Sequence, residues 1–419
     1  MCMQTKTHKQ LFACFLAVLL IVFAALPAEA KTAEIRSPVY TALGDSIASG
    51  YKLNQSNNGY VGLFGSYLSA QTTNLARVGL DSAGLLKLLN SDQATVDQVK
   101  KSDIITISIG GNDLLPIFSA LQPTSPTSLV AAVQAINGNA MQQKFQNAVT
   151  HFGQNWDKII AQIKKLAPHA QIIATTLIDP YEGMVISVPV IAHFDLGGYA
   201  DGYIKQINAV ITGHAKSGQY AVADAYGLFM QHKTDKLTNA DLAKLDFDPH
   251  PNAAGHRLLF QAHQAVALDF TQDALALSGP SRIVIPADGK SSHAQFSAQP
   301  LLSCFTTANA SAQTAYTMED PGATGAAIDV STGTLYVYKP GTVKIKATLT
   351  TANGKLSAET IRTIRVTQAL VTQAEWKQWA VPAGIGLAVL AAVLLILLLP
   401  RRKKRRPHDL PADREKTPV

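Results

Sequence analysis

Residues 38–273 alternate short strand-like runs with longer helical stretches, a pattern that leaves few folds open. The helical stretches carry apolar residues near positions i, i+3, i+4 and i+7, as in 145–166. Such alternation is typical of a mostly parallel sheet with helices on both faces, in which ligands bind beyond the carboxyl ends of the strands. The strand-like runs are Val39–Leu43, Thr72–Ala76, Asp103–Ile109, Gln171–Thr176 and Tyr220–Ala223.

Helical periodicity fades in residues 281–368, where short runs rich in Val, Ile, Thr and Tyr alternate with turn signals such as Pro340-Gly341 and Asn353-Gly354. We predict a small all-β sandwich over this range. The run 328–335, together with Gly341-Thr342-Val343, resembles bacterial immunoglobulin-like surface modules. That resemblance implies a spacer or adhesion unit. The alternative is that the β region packs on the first domain as one body.

Residues 1–30 have the pattern of a secretory signal peptide. Two lysines precede an apolar stretch over 11–26, and Ala28-Glu29-Ala30 places small residues at the cleavage positions. We therefore expect the mature chain to start near Lys31, the alternative being an uncleaved N-terminal anchor.

Residues 380–399 form an apolar stretch without a charge, long enough as a helix to cross roughly 30 Å of hydrocarbon. Lys and Arg residues fill all of 401–406 directly after it, and such a cluster stays on the cytoplasmic side of a membrane. This order predicts a single-pass cell-membrane protein with residues 31–379 outside the cytoplasm and a basic tail, 401–419, inside.

The charge of the chain is concentrated at its two ends. The formal net charge is +7, of which 401–419 contribute +5 and 1–30 contribute +1, leaving +1 for 31–400. A nearly neutral body has no basic footprint for nucleic acid. The sequence also shows neither metal-ligand spacing nor a phosphate-binding glycine loop. We therefore expect no nucleic-acid partner, no cofactor and no metal.

Four short motifs lie at the carboxyl ends of the predicted strands or in the last loop of the α/β region. Because these positions meet at one edge of a parallel sheet, their side chains can converge on one cleft. The motifs are Gly44-Asp45-Ser46, Gly79 with Asp81-Ser82, Gly110-Gly111-Asn112-Asp113, and Asp248-Pro249-His250-Pro251.

The residue types in these motifs are those of nucleophilic catalysis. Ser46 supplies a hydroxyl, and His250 can be the base that accepts its proton. A carboxylate beside the imidazole would fix its tautomer and stabilise its protonated form. The backbone N–H groups of Ser46 and Gly79 and the side-chain amide of Asn112 are candidate donors to the oxyanion of a tetrahedral intermediate.

The order Ser, Gly, Asn, His across the four motifs resembles the SGNH, or GDSL, hydrolase superfamily over residues 38–273. The resemblance implies a flavodoxin-like three-layer α/β/α domain with a mostly parallel five-stranded sheet, and hydrolysis of esters. It would make Ser46 the nucleophile and an oxyanion donor, Gly79 and Asn112 further donors, and His250 the base. The loop 176–181 looks like the substrate-side loop of secreted Gram-positive relatives.

The carboxylate partner of His250 has more than one candidate. The superfamily places this acid three residues before the histidine, where this chain has Phe247. We favour Asp248, two residues before His250, and leave open Asp246 or a backbone carbonyl, which would make the site a Ser–His dyad. His256 is a rival base, but we expect it on the surface of a helix.

Three aspartates beside the motifs have structural roles in our interpretation. Asp45 is expected to cap the turn after the first strand, and Asp81 with Ser82 to cap the next helix. Asp113 either braces the loop that presents Asn112 or lies on the surface.

We therefore predict a membrane-anchored, extracytoplasmic serine esterase or lipase. Its ester substrate would be a lipid or an acylated glycan, and its β region would contact the cell envelope. Two alternatives stay open. One is an acyltransferase or O-acetyl esterase that acts on cell-envelope polysaccharide through the same residues, and the other is a non-catalytic adhesion protein.

Overall fold

The computed structural model describes residues 34–369 apart from gaps at 56–58, 120–130, 132–133, 136–137, 189–191, 216–218, 245 and 307–311. The predicted signal peptide, 1–30, the predicted span, 380–399, and the basic tail, 401–419, lie outside the described residues. Within the described part of the chain, no helix is both long enough and apolar enough to cross a membrane.

Parallel strands form the central sheet of the α/β region, and a separate antiparallel hairpin follows the fourth of them. The strands are β1 (Val39–Gly44), β2 (Gln71–Asn74), β3 (Ile104–Ser108), β4 (Gln171–Thr175), β5 (Val185–Val188), β6 (Ala192–Asp195) and β7 (Ala221–Ala223). The sheet order is β2-β1-β3-β4-β7, with every pairing parallel. The predicted parallel five-stranded sheet is therefore confirmed, and its order matches the flavodoxin-like arrangement.

Helices cover both faces of this sheet. They are α1 (Ser46–Ser49), α2 (Tyr60–Tyr67), α3 (Ser82–Ser91), α4 (Gln93–Lys100), α5 (Gly111–Ser119), α6 (Asn139–Leu166), α7 (Leu196–Ala215), α8 (Ala225–Gln231) and α9 (Ala253–Gln264). Successive residues of β3 point to opposite faces, so Ile104 joins a core with α2 and α9. Ile105 joins a second core with α3, α6 and α7.

Helix α6 shows how the apolar pattern becomes a buried face. Its buried side chains recur at helical spacing, from Phe145 through Trp156 to Ile163. The helix ends at Leu166 because Pro168 disfavours helical backbone at the residue before it. This amphipathic helix therefore packs its apolar side on the face of the sheet that carries Ile105.

The C-terminal β region is present, and those of its strands that the structure describes pair in three sheets. They are β8 (Leu268–Phe270), β9 (Leu275–Ser278), β10 (Arg282–Ile285), β11 (Ser292–Gln295), β12 (Ser297–Pro300), β13 (Gln313–Asp320), β14 (Ala327–Ile328), β15 (Thr334–Val337), β16 (Gly341–Thr350) and β17 (Leu356–Gln368). One sheet has the order β10-β17-β16-β13 with β8 beside β17, the second β11-β15-β14 and the third β12-β9. The predicted turn at Asn353-Gly354 joins β16 to β17, which pair in antiparallel fashion.

The β region packs directly on the α/β region. Strand β8 lies inside the predicted hydrolase boundaries, yet it pairs in parallel with β17, Leu268 opposite Leu356. Apolar side chains of both regions, such as Phe64 and Ile345, belong to one continuous cluster. Strands at 268–278 are not apparent in the sequence pattern, because these short runs take their hydrogen bonds from residues far along the chain.

Candidate active site

A tight turn between β1 and α1 places Ser46 at the carboxyl end of the sheet. Gly44 has a φ of +149°, and a Cβ there would lie 2.2 Å from the Ser108 carbonyl oxygen on the neighbouring strand, so the turn requires glycine. Asp45 caps α1 by accepting from the Ile47 N–H at 2.9 Å, as predicted. Ser46 is only 8% exposed, so the backbone presents its hydroxyl from a fixed, largely buried turn.

Short-range hydrogen bonds shape the loop that carries His250. The Asp248 N–H donates to Asp246 Oδ1 at 3.1 Å, and the His250 N–H donates to Asp248 Oδ1 at 3.1 Å. The His250 carbonyl accepts from the Asn239 N–H at 2.9 Å. These bonds bend the chain so that the side chains at 248 and 250 face each other.

Ser46, His250 and Asp248 form a connected chain of hydrogen bonds. Ser46 Oγ lies 2.9 Å from His250 Nε2, although 204 positions separate the two residues. The other ring nitrogen, Nδ1, is hydrogen-bonded to Asp248 Oδ1. The side chains of His250 and Asp248 are 13% and 11% exposed. The structure thus places Asp248 on the imidazole, whereas Asp246 contacts the Asp248 backbone.

Asp248 is held as a carboxylate although it is partly buried. Burial alone would raise its pKa, but hydrogen bonds from the His250 ring and N–H, together with the charge of Lys52, lower that pKa below its ordinary value. In contrast, burial raises the pKa of Asp45, next to Ser46, to about 7. An ionised Asp248 holds the proton of the neutral imidazole on Nδ1 and leaves Nε2 as the acceptor that faces Ser46.

Asn112 and Gly79 lie on neighbouring loops joined by a hydrogen bond. Asn112 Nδ2 donates to the Leu80 carbonyl at 2.9 Å, and Asn112 lines the same pocket as His250. Gly79 has a φ of +79°, and no atom lies within 4 Å of where its Cβ would stand. The structure therefore brings Asn112 and His250 together and ties Gly79 to them through the adjacent Leu80.

Asp113 braces the loop that carries Asn112. Its carboxylate accepts from both the backbone N–H and the hydroxyl of Ser82. Asp81 caps α3 by accepting from the Gly84 N–H at 2.7 Å, as predicted. The prediction that Ser82 shares the capping role is wrong, because Ser82 is fully buried and its hydroxyl is bonded to Asp113 instead.

An apolar pocket of about 80 Å³ opens beside His250 and Asn112. Its walls come from α5, from the loop after β4 and from α7. Its apolar lining residues include Leu114, Leu115, Leu177, Ile178, Ala200 and Ile204. Leu177 and Ile178 belong to the predicted substrate-side loop, whereas Ala200 carries no motif signal, because only the packing of α7 brings it to the site.

The prediction that His256 lies on a helix surface is wrong. His256 is fully buried in α9, where its Nδ1 accepts from the Tyr60 N–H at 3.3 Å and its ring stacks on the Tyr60 ring. Burial, and next the proximity of His250, lowers the pKa of His256 to about 4, so this imidazole is neutral at ordinary pH. The sequence suggests that this face of α9 is open to water, but helix α2 covers it.

Two further residues contact the His250–Asp248 pair, and no motif points to them. The Tyr51 ring lies edge-on to the His250 imidazole with 4.8 Å between ring centroids. Lys52 Nζ lies 3.5 Å from Asp248 Oδ2, the oxygen that the imidazole does not use. Their only sequence signal is that they follow Ser46 closely along the chain.

Residues 42–258 match the family model of the GDSL-like lipases and acylhydrolases, which covers just over half of the chain. This chain belongs to that family. The protein is thus an ester hydrolase of the SGNH/GDSL type, as the order of the four motifs implied.

Known proteins resemble this GDSL-like hydrolase over a similar share of the chain. The uncharacterised protein YpmR of Bacillus subtilis (strain 168) is 26% identical over 249 residues, which are 57% of this chain and 84% of YpmR. The spore germination lipase LipC of Bacillus licheniformis is 21% identical over 236 residues, 54% of this chain and 94% of LipC. The solved structure of the lipase Lip_vut3 from a goat rumen metagenome aligns with a TM-score of 0.42 and 20% identity, over 55% of this chain and 97% of Lip_vut3.

Proposed function

We propose that this protein hydrolyses carboxylic esters of lipids through an acyl-enzyme on Ser46, with His250 as the base and Asp248 as the acid that orients it. The observation that carries this proposal is the 2.9 Å contact between Ser46 Oγ and His250 Nε2, in a ring whose other nitrogen is bonded to a carboxylate. That contact supplies the hydroxyl with a proton acceptor before any substrate binds.

In the first half-reaction, Ser46 Oγ attacks the ester carbonyl carbon while its proton passes to His250 Nε2. The negative oxygen is met by the N–H groups of Ser46 and Gly79 and by Asn112, whose amide has a second N–H besides the one given to Leu80. The imidazolium then protonates the leaving alcohol. In the second half-reaction, His250 takes a proton from water, which attacks the acyl-enzyme. The bond between the acyl carbon and Ser46 Oγ then breaks, His250 returns its proton to Ser46 Oγ, and the carboxylic acid is released.

The apolar pocket supports an acyl chain longer than acetyl as the bound group. Side chains such as Leu114, Ile178 and Ile204 form no hydrogen bonds with a sugar, whereas they can bury methylene groups at ~0.8 kcal/mol each. A pocket of this composition favours lipid esters over O-acetyl groups on polysaccharide. The relative LipC is named a spore germination lipase, which agrees with this substrate class.

Covalent labelling tests the proposed nucleophile. A fluorophosphonate probe reacts with serines that are activated by a base, so we expect one adduct on Ser46, located by mass spectrometry of the peptides. Adducts spread over surface serines, or no adduct on Ser46 in the folded protein, would refute the proposal.

Enlarging Ala200 should shorten the acyl chains that the enzyme accepts. Ala200 is fully buried on α7 and lines the pocket, so Ala200→Leu fills space that a bound chain would occupy. We expect kcat/KM for long-chain esters to fall about tenfold or more relative to acetyl esters, the range for a displaced methylene. A series of nitrophenyl esters measures this ratio. Ala209→Leu, on an exposed position of the same helix, is the control, and an equal loss at every chain length would contradict the assignment.

We also propose that the protein is exported and anchored by one span, so that the catalytic domain and the β region are extracytoplasmic. The charge-free stretch 380–399, the cations that follow it and the signal-like segment 1–30 support this topology. The β region, 281–368, would then be a spacer of the immunoglobulin-like kind that contacts the cell envelope. Protease added to intact cells should remove the catalytic domain and leave a membrane-bound fragment with the tail 401–419, whereas full protection would contradict the topology.

A further inference from the structure

The segment that carries Ser46 turns back onto the His250–Asp248 pair. After α1, Gly50 and Lys52 both adopt left-handed backbone, with φ of +73° and +69°. Glycine takes this conformation readily, but in lysine the Cβ crowds the following carbonyl oxygen. The turn is closed by the Tyr51 N–H, which donates to the Ser46 carbonyl at 3.0 Å. A long side chain at a position that favours glycine indicates that the side chain itself has a use.

The side chain of Lys52 reaches the oxygen of Asp248 that is left after His250 is bonded. Asp248 Oδ1 accepts from His250, and Lys52 Nζ lies 3.5 Å from Oδ2. The Lys52 ammonium also lies 5.8 Å from the centre of the Tyr51 ring, which makes a T-shaped contact with the imidazole. The short segment 46–52 therefore contributes the proposed nucleophile and also contacts both members of the His250–Asp248 pair.

We propose that Lys52 is a positioning residue, which keeps Asp248 ionised and turned toward His250 so that the enzyme stays active on the acidic side of neutrality. The inference rests on the proposed function. A positive charge at Lys52 favours the carboxylate form of Asp248. A lower pH is therefore needed to protonate Asp248 and so to remove the acceptor that orients the imidazole of His250.

Other titratable groups that face the pair cannot take over this role. Of the described residues, Lys52 is the lysine or arginine within 4 Å of the Asp248 carboxylate, whose other partner is the imidazole of His250 itself. The remaining groups near the pair are acids, phenols or a neutral imidazole. They are Asp45, Asp246, Tyr51, Tyr181 and His256.

Three substitutions in the full chain separate the charge of Lys52 from its backbone conformation. Lys52→Met removes the charge, Lys52→Gly removes it while suiting the left-handed backbone, and Lys52→Arg keeps it. We expect Lys52→Met and Lys52→Gly to lower kcat/KM about twofold to fivefold below neutral pH, the range for a partly exposed ion pair. Their acidic limb should move to higher pH, while Lys52→Arg keeps the wild-type profile. High salt should bring the wild type toward Lys52→Met, because it screens the pair.

A second ion pair of nearly equal geometry is the matched control. Lys100 Nζ lies 3.6 Å from Asp97 with 51% of its side chain exposed, against 3.5 Å and 50% for Lys52. Lys100→Met should show the wild-type pH profile and salt response. A wild-type profile in Lys52→Met, or full activity in Lys52→Gly beside a loss in Lys52→Met, would overturn the proposal. If the fluorophosphonate did not label Ser46, the proposed function would be refuted instead. Failure of the Lys52 proposal can therefore be distinguished from failure of the proposed function.

Discussion

Ser46→Ala should remove nearly all ester hydrolysis and leave the fold intact. We expect kcat to fall about 10⁴- to 10⁶-fold, because without the hydroxyl no acyl-enzyme forms and only unassisted attack of water remains. This loss corresponds to roughly 5–8 kcal/mol of transition-state stabilisation. Turnover of a short nitrophenyl ester measures it, and thermal unfolding of the same samples shows whether the variant is folded.

Ser49→Ala is the matched control for this experiment. Ser49 is the last residue of α1, and its hydroxyl donates to the Ser46 carbonyl at 2.9 Å without contacting His250. Loss of one such local hydrogen bond costs about 1 kcal/mol of stability, so its activity should stay within about fivefold of wild type. If Ser46→Ala kept more than about one hundredth of the activity, Ser46 would be an ordinary turn residue and the acyl-enzyme route would be wrong.

The strands of the α/β region could be predicted because burial on both faces leaves a clear pattern. Strand β3 is an uninterrupted run of β-branched and small residues, all buried, and the predicted run Asp103–Ile109 contains it. Strand β4 ends at Thr175, one residue before the predicted end. The parallel sheet then follows from the helices between the strands, and with it the edge on which the motifs meet.

Elements whose structure depends on distant partners could not be predicted in the same way. Strand β8 has three residues. It forms because its backbone pairs with that of β17, nearly ninety positions later in the chain. The hairpin of β5 and β6 has no strong pattern of its own. The position of His256 near the start of a predicted helix, six residues after His250, favours a surface location, but Tyr60 from another helix covers it. In each case tertiary contacts decide what local propensity leaves undetermined.

The motifs predicted which side chains meet at the candidate site better than they predicted how these residues are supported. Motif order placed Ser46, Asn112 and His250 at one edge of the sheet, and the structure has Ser46 in contact with His250 and Asn112 in the adjoining pocket. The choice between Asp248 and Asp246 depends on two backbone hydrogen bonds in the loop, which spacing does not show. The contact of Lys52 with Asp248 depends on a left-handed backbone conformation at Lys52, and the sequence would lead one to expect that conformation only of glycine.

Asp248→Asn is expected to lower kcat/KM about 10³- to 10⁴-fold near neutral pH, or roughly 4–5.5 kcal/mol. The asparagine amide has nearly the same shape, but it can donate a hydrogen bond to Nδ1 and so favours the tautomer with the proton on Nε2. Ser46 Oγ, 2.9 Å from Nε2, would then face a donor instead of an acceptor. Steady-state kinetics on a short nitrophenyl ester, with thermal unfolding as the test of folding, measures the effect.

Asp246→Asn is the control that distinguishes the role of the Asp248 carboxylate from that of the neighbouring Asp246. Asp246 accepts the Asp248 N–H through Oδ1, a bond that an asparagine carbonyl oxygen can keep, so activity should change less than about threefold. Equal losses in the two variants would mean that Asp248 serves only to shape the loop. Activity above about one tenth in Asp248→Asn would mean a Ser–His dyad. Contacts favour the triad, because Asp248 is bonded to His250 through one oxygen and paired with Lys52 through the other, which opposes rotation of the carboxylate away from the ring.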